Sequence, residues 1–252
     1  MAIATFRFYA ELNDFLPPER RQRAFDYAFD RRAAIKDVVE ALGVPHTEID
    51  LILVDGEPVG FDHILGDGER VGVYPMFEAF DIAPLARLRP RPLRTPRFVL
   101  DAHLGTLARY LRLLGFDTLY RNDYDDAQLA AISADEHRIL LTRDRGLLKR
   151  RIVTHGMYVR DDKPRAQLRD IVTRLDLARL VQPFSRCARC NGLLEAVEKS
   201  EIEYRLEPKT RLYYDRFLRC ESCGQIYWKG SHFARMEKLI EESVRGERPT
   251  SH

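Results

Sequence analysis

The stretch FVLDAHLGTLARYLRLLGFD, residues 98–117, passes from a short apolar strand through an amphipathic helix to the start of a second strand. Leucines recur at helical spacing over 103–114, and Gly115 supplies a typical helix end. The same alternation continues downstream and predicts strands over 117–121, 139–142 and 157–160 and helices over 126–136 and 165–177. Strands that alternate with helices require crossover connections, so we predict a mostly parallel sheet with helices on both faces.

Acidic residues follow each predicted strand of this region. They are Asp101, Asp125, Asp126, Asp144, Asp161 and Asp162. Because the carboxyl ends of parallel strands lie at one edge of a sheet, we expect these carboxylates to converge. Clustered carboxylates repel one another, and hard oxygen ligands favour Mg²⁺ or Mn²⁺ over zinc. An aspartate before a helix is also a good N-cap, and that role is compatible with metal binding.

The four cysteines of the chain form two knuckles, Cys187-Ala188-Arg189-Cys190 and Cys220-Glu221-Ser222-Cys223. Two such pairs supply four thiolates, the ligand set of a tetrahedral structural Zn²⁺. Redox Cys-x-x-Cys motifs normally belong to a thioredoxin-like unit, and disulfides are typical of secreted proteins, so both alternatives are weaker. The spacer over 191–219 exceeds the usual length and predicts a β-hairpin between the knuckles. We expect a zinc ribbon over 181–252, with a helix from about Ser231.

The first 80 residues have their own pattern of strands and a helix. We predict strands over 5–9, 23–29, 51–54 and 71–74 and a helix over 34–42. Strand, strand, helix, strand, strand is the β-grasp order, and the region is similar to ubiquitin-like and sulfur-carrier domains. Carriers need a free C-terminal Gly-Gly, whereas this chain continues past Tyr74. We therefore interpret the domain as a docking module for a protein partner.

Charge is distributed unevenly along the chain. Residues 1–80 hold 8 Lys/Arg and 15 Asp/Glu, a net charge of −7, whereas the remainder carries +9. A basic region of this size indicates a polyanionic partner, although the two regions could instead neutralise each other. The linker over 81–97 alternates prolines with arginines and would either follow a phosphate backbone or act as a solvated spacer. No apolar stretch is long enough to span a membrane, and unpaired cysteines without an export signal predict a cytoplasmic protein.

Three segments and the ribbon resemble a known family. Residues 98–101, 103–117 and 140–148 (LLTRDRGLL), with Cys220–Cys223 followed by YWKGSH over 227–232, resemble the PIN-like RNase family. Within that family the chain is similar to the branch named after the C-terminal domain of the Mut-seven exonuclease, some members of which carry a ubiquitin-like domain in front. The resemblance implies a PIN fold and Mg²⁺/Mn²⁺-dependent RNA cleavage.

Carried over to this sequence, the resemblance implies specific ligands. Asp101, Asp126 and Asp144 correspond to metal ligands, and Asp125 is a one-residue alternative to Asp126. A fourth acid is assigned by position only, with Asp161 and Asp162 as candidates.

Basic and aromatic side chains around these acids are candidates for RNA binding. Arg109 and Arg112 lie three residues apart on the polar face of the predicted helix. The other basic candidates are Arg143, Arg145, Lys149, Arg150, Arg151 and Lys229, with His232 as a contact to the phosphate. Trp228 and Tyr227 would either stack on a base or pack beneath the zinc site.

The sequence thus predicts an α/β protein with four segments. They are a β-grasp domain (1–80), a Pro/Arg linker (81–97), a PIN-like parallel-sheet nuclease domain (98–180) and a zinc ribbon (181–252). The predicted function is a metal-dependent ribonuclease with RNA as its partner. The alternatives are an RNA-binding module without catalysis and a protein-docking adaptor.

Overall fold

A computed structural model describes residues 1–30, 32–75 and 96–230, together with Lys238 and Glu241. Most of the predicted linker, the start of the C-terminal helix at Ser231, and His232 lie outside the described residues. Within the described ranges, no helix combines the length and the apolar character needed to cross a membrane.

The helices and strands follow the predicted order closely. The first region contains β1 (Ala2–Phe8), β2 (Phe25–Phe29), α1 (Ile35–Ala41), β3 (Ile49–Val54), β4 (Glu57–Pro58) and β5 (Arg70–Pro75). The second contains β6 (Phe98–Leu100), α2 (Gly105–Leu113), β7 (Thr118–Tyr120), α3 (Asp126–Asp135), β8 (Ile139–Thr142), α4 (Arg145–Leu148), β9 (Gly156–Tyr158) and α5 (Pro164–Arg174). The third contains β10 (Leu194–Val197), α6 (Lys199–Ile202), α7 (Pro208–Tyr213), β11 (Phe217–Cys220) and β12 (Ile226–Trp228).

The β-grasp sheet has the strand order β2-β1-β5-β3-β4. β1 runs parallel to β5 and antiparallel to β2, and β3 runs antiparallel to β5. Phe6, Phe8 and Val73 alternate with exposed or half-buried neighbours on their strands and pack against Val39 of α1. This two-residue period covers one face of the sheet with the helix, as the sequence pattern predicts. The predicted β-grasp order is confirmed, with the two-residue strand β4 as an addition.

The second region, over 96–180, is built on parallel strand pairs. β6 pairs with β7 in the register Phe98↔Thr118, and β8 pairs with β9 in the register Leu140↔Gly156. Every residue of β6 and β8 is buried, as expected for strands covered on both faces. Parallel pairing with intervening helices confirms the predicted α/β class. The short helix α4 begins directly after Asp144, as expected from its interpretation as an N-cap, and a 3-10 helix over Ala102–Leu104 precedes α2.

The turn after α2 packs closely against the segment that leads into the ribbon. Gly115 has φ +98°, and a Cβ placed on it would lie 2.4 Å from the carbonyl oxygen of Gln182. Gln182 and Phe184 donate their backbone N–H groups to the carbonyls of Leu114 and Leu113. Only glycine meets both the conformational and the steric requirement at this turn.

The ribbon contains a three-stranded antiparallel sheet in the order β10-β11-β12. The spacer between the knuckles does carry a strand pair, since Leu194 of β10 faces Cys220 of β11. However, the helices α6 and α7 connect these strands, so the predicted hairpin in the spacer is an antiparallel pair joined by a helical insertion.

The chain divides into two compact units. One comprises Met1–Thr95 and Asp126–Tyr158, and the other comprises Pro96–Asp125 and Val159–His252. Residues 126–158, which we assigned to the nuclease domain, therefore group with the β-grasp region.

Candidate functional site

Asp144 lies in a tightly organised turn between β8 and α4. Its Oδ1 atom accepts hydrogen bonds from the backbone N–H groups of Gly146 (2.6 Å) and Leu147 (3.3 Å), so it is the N-cap of α4. The buried Thr142 hydroxyl accepts the N–H of Asp144 at 2.9 Å. A Cβ on Gly146 would lie 3.1 Å from Oδ1, so a glycine here gives the carboxylate room. The Thr-Arg-Asp-Arg-Gly segment thus fixes an exposed carboxylate by one of its two oxygens.

Asp126 opens α3 and is also exposed. Its Oδ2 atom lies 3.5 Å from a guanidinium nitrogen of Arg150. Both side chains are partly exposed, so the ion pair is weak. Asp125 precedes Asp126 and is exposed as well.

Asp101 follows β6 directly and precedes the 3-10 helix Ala102–Leu104. Its carboxylate does not cap that helix, whereas its carbonyl accepts the N–H of Leu104 at 2.9 Å. The hydroxyl of Tyr120 donates to the carbonyl of Ala102 at 2.9 Å and holds the turn from β7. A Cβ on Gly105 would lie 2.6 Å from that hydroxyl, so Gly105 makes room for Tyr120.

Asp161 and Asp162 are exposed between β9 and α5. The Oδ1 atom of Asp161 accepts the N–H of Lys163 at 2.7 Å, and its carbonyl accepts the amide of Gln167 at 2.8 Å. Asp161 thus organises the start of α5. Asp126 and Asp144 belong to one compact unit, and Asp101 and Asp161 to the other, so the convergence of these acids stays a prediction.

The four cysteines form a compact group. Their Sγ atoms all lie within 4.8 Å of one another and can hold a metal ion. Cys187 Sγ lies 3.7 Å from Cys223 Sγ, and Cys190 Sγ lies 3.4 Å from Cys220 Sγ, so the closest pairs cross between the knuckles. The expected four-thiol site is present.

The two knuckles have the same backbone geometry. In each, the residue after the second cysteine donates its N–H to the carbonyl of the first, from Asn191 to Cys187 (2.9 Å) and from Gly224 to Cys220 (3.0 Å). Asn191 has φ +74° and Gly224 has φ +67°, a conformation that Asn and Gly adopt most readily. These residues therefore close both loops around the sulfur atoms.

The thiols cannot all ionise without a cation. Burial opposes ionisation of Cys187, but hydrogen bonds from Tyr227 and from the N–H groups of Cys190 and Arg189 outweigh it and lower the pKa of Cys187 to about 7. Burial and the neighbouring thiols raise the pKa of Cys190 to about 12, despite a backbone hydrogen bond from Gly192. A bound cation would remove this penalty, so the donor set fits a metal ion.

Arg112 does not fit its predicted role in RNA binding. It is 4% exposed, its Nε donates to the carbonyl of Thr118 (2.9 Å), and its Nη1 donates to the carbonyls of Ala188 (3.3 Å) and Arg189 (2.9 Å). Burial lowers the pKa of Arg112, and the nearby cysteines and Asp117 counteract this. We therefore reassign Arg112 as a structural link between α2 and the first knuckle.

Two further residues that we predicted to bind RNA, Arg145 and Lys149, make contacts with the β-grasp region. The guanidinium of Arg145 lies 5.0 Å from the ring centre of Phe15, and Lys149 Nζ donates to the carbonyl of Glu40 at 2.6 Å. Arg109, Arg143 and Arg151 are exposed, as is Arg145. Arg109, Arg143 and Arg151 remain predicted RNA contacts.

In the ribbon, the two adjacent aromatic residues have separate roles. The hydroxyl of Tyr227 lies 3.1 Å from Cys187 Sγ, and its pKa is raised by burial and by that thiol. Trp228 is 36% exposed and, with Lys229 and Phe217, lines a cavity of about 780 Å³. Tyr227 therefore supports the thiol group, while Trp228 and Lys229 lie at a surface, and their part in RNA binding stays a prediction.

Asn191 is a site residue that the sequence patterns did not reveal. Its side-chain oxygen accepts the N–H of Thr118 at 2.9 Å, and its side-chain nitrogen donates to Asp117 at 2.7 Å. Its position directly after Cys190 was the available signal. Asn191 thus fastens the first knuckle to β7.

Comparison with known proteins identifies the family to which the chain belongs. A family model described as the Mut7-C RNAse domain matches residues 96–240, and a second, described as Mut7-C ubiquitin, matches residues 1–81. The chain belongs to the Mut7-C RNAse domain family and carries the ubiquitin-like domain in front. No curated protein and no solved structure matches the chain. The family match supports a role in RNA metabolism.

Proposed function

We propose that this protein is a ribonuclease of the PIN-like type that hydrolyses RNA phosphodiester bonds with Mg²⁺ or Mn²⁺. The observation that carries the proposal is the family match over 96–240 in a region where an aspartate follows each of the four parallel strands. Asp101, which is half-buried, and the exposed Asp126 and Asp144 would hold the ion, because carboxylate oxygens are the ligands that these cations prefer. When bound, the ion supplies Lewis-acid activation of water and neutralises charge on the phosphate.

The residues of the chain itself would orient the reactants. Gly146 and Leu147 donate their backbone N–H groups to Asp144 Oδ1, and the Thr142 hydroxyl accepts the backbone N–H of Asp144, so the turn would hold this carboxylate in place as a metal ligand. Tyr120 holds the turn that follows Asp101. The exposed Arg109, Arg143 and Arg151 would bind backbone phosphates next to the cleaved bond.

We further propose that the thiol group holds a structural Zn²⁺. Sulfur atoms at roughly 2.3 Å from a tetrahedral ion lie about 3.8 Å apart, close to the 3.4 and 3.7 Å separations in this group. All four ligand positions are then protein thiolates, so the ion has no open position for a substrate. The chemistry would therefore occur at the carboxylates.

The test is cleavage of a labelled RNA pool by purified protein with Mn²⁺, with Mg²⁺ and with neither. We expect metal-dependent cleavage that falls at least about a hundredfold in Asp144→Asn, while RNA affinity stays within about threefold. Asp135→Asn, an exposed aspartate at the other end of α3, is the matched control and should cleave like the unmodified protein. RNA binding without cleavage would instead identify an RNA-binding module, and equal cleavage by Asp144→Asn would point to a contaminant.

A further inference from the structure

The β-grasp region contacts the segment that follows Asp144. This segment, residues 145–158, contains α4 and β9 and belongs to the same compact unit as the β-grasp region. The contacts come from two 3-10 helices of the β-grasp region, Ala10–Phe15 and His46–Glu48, and from Glu40 of α1. We call residues 145–158 the post-Asp144 segment.

An aromatic group joins Phe15 of the β-grasp region to both ends of the post-Asp144 segment, Arg145 and Tyr158. Phe15 packs edge-on against Tyr158 with ring centres 5.6 Å apart. The guanidinium of Arg145 lies 5.0 Å from the ring centre of Phe15 and 5.3 Å from that of Tyr158. Cation–π contacts of this kind fix the direction of an arginine side chain. Because Arg145 directly follows Asp144, its anchoring restrains the turn that carries this carboxylate.

Polar contacts hold the middle of the segment. His46 is 6% exposed, and its Nδ1 lies 2.6 Å from Glu40 Oε1 while its Nε2 lies 2.9 Å from the carbonyl of Val153. Lys149 Nζ donates to the carbonyl of Glu40 at 2.6 Å. Buried polar contacts with both partners satisfied order the groups that make them. Glu40 and His46 therefore fasten both the end of α4 and the loop after it.

The last contact engages the backbone of β9. Glu48 is 2% exposed, and its Oε1 accepts the backbone N–H of Tyr158. A Cβ on Gly156 would lie 3.5 Å from the Cβ of Thr47, so the His46–Glu48 helix lies directly against the strand. β9 pairs with β8, whose last residue, Thr142, accepts the N–H of Asp144.

We infer that the β-grasp region is a positioning domain for the nuclease, in which Phe15, Glu40, His46 and Glu48 hold the Asp144 turn in its active arrangement. The inference rests on the proposed function for its catalytic consequence, because it assigns these residues an effect on the Asp144 carboxylate. It also goes beyond docking of a separate protein, since the docking partner is part of the same chain. Loss of these contacts would lower the rate of the chemical step.

The test compares Glu48→Ala with Glu48→Gln in the full-length chain. Glutamine keeps an oxygen that can accept the N–H of Tyr158, whereas alanine removes it. For Glu48→Ala, we expect a fall in kcat of about tenfold with KM within about twofold, because misplaced catalytic groups slow chemistry more than binding. Glu48→Gln should restore most of kcat. Glu57→Ala, an exposed glutamate of the same region, is the matched control and should behave like the unmodified chain.

Hydrogen exchange of the amides over 140–158, measured without RNA or divalent ions, gives a readout that does not depend on catalysis. We expect exchange about tenfold faster in Glu48→Ala than in Glu48→Gln. Lys149→Met, which removes the bond to Glu40 from the other side, is the second variant if Glu48→Ala does not fold. Unchanged exchange around Asp144 would overturn the inference, and so would faster cleavage by the variants, which would make the domain an inhibitor. If the unmodified chain does not cleave RNA, the proposed function fails, while the exchange data still decide whether the region positions Asp144.

Discussion

At the scale of single residues, Arg112 illustrates how a charged side chain can serve packing. Its guanidinium bonds to three backbone carbonyls, two of which belong to the first cysteine knuckle. A planar group with several donors in fixed directions suits this arrangement, and a lysine cannot reproduce it. The charge therefore joins parts of the chain that are 76 residues apart.

We predict that Arg112→Met destabilises the fold by roughly 2–4 kcal/mol, because it removes the donor of one buried and two partly buried carbonyls. Arg112→Lys should recover little of this loss. Urea unfolding would measure the change. Arg109→Met, an exposed position on the same helix, is the control and should change stability by less than about 0.5 kcal/mol. Equal stabilities of the two methionine variants would contradict the structural role of Arg112.

The two arginines also mark a limit of sequence analysis. Spacing placed Arg109 and Arg112 on the same polar helix face, and both were predicted to bind RNA. The partners of Arg112 are carbonyls of Ala188 and Arg189, which no local pattern can connect to α2. Asp144 was the opposite case, because the strand before it and the helix after it are both local signals. Local patterns found the carboxylates, whereas contacts between distant parts of the chain decided which arginines remain exposed.

At the scale of elements, the two knuckles form one unit whose four thiols can hold a metal ion. Each loop is closed by a backbone bond and a residue of positive φ, yet four neighbouring thiols cannot ionise together without a cation. The same first knuckle supplies Asn191 to β7 and two carbonyls to Arg112. Loss of the ion should therefore disturb α2 and β7 as well as the ribbon.

We predict that a zinc-selective chelator removes one zinc ion per chain and increases hydrogen exchange over 187–228 and at Thr118. Elemental analysis and exchange mass spectrometry would measure the two effects. Zinc retention should also weaken as the pH falls below neutral, because protons compete for the thiolates. Cys223→Ser should copy the effect of the chelator, whereas Ser222→Ala in the same knuckle should not. Full protection at Thr118 after zinc loss would contradict the coupling.

The elements themselves were largely predictable. Gly115 and the alternation of apolar residues placed α2 and its neighbouring strands within a few residues of their observed bounds. The spacer between the knuckles was not, because α6 and α7 are short helices held by tertiary contacts of Ile202 and Leu206 rather than by a long periodic pattern. The thiol group was found from spacing alone, since four cysteines in two pairs admit few other arrangements.

At the scale of the whole molecule, the chain leaves one compact unit after Thr95 and returns to it at Asp126. The β-grasp region therefore shares a compact unit with residues 126–158, although the two family models end and begin at residues 81 and 96, near the predicted boundary. Charge and composition gave no sign of this grouping of residues 126–158 with the β-grasp region. The contacts between them come from a small number of side chains such as His46, Glu48 and Phe15.

We predict that deleting residues 1–80 lowers the melting temperature of the remaining chain by on the order of 10 °C. The deletion removes the bonds of Glu40, His46 and Glu48 to the post-Asp144 segment and the packing of Phe15 on Tyr158, each worth about 1 kcal/mol. Calorimetry would measure the shift. An unchanged melting temperature would indicate that residues 126–158 are stable without the β-grasp region.

Glu48 and Asn191 have one property in common, which bears on the association of this protein with other chains. Among the described residues, β9 pairs only with β8 and β7 pairs only with β6, so each has a side without a strand neighbour. Glu48 accepts an amide of β9, and Asn191 accepts an amide of β7. Unpaired strand amides recruit foreign strands and seed aggregation. Glu48 and Asn191 thus each occupy one amide of an outer strand, and we expect their loss to leave that amide open to pairing with a strand of another chain.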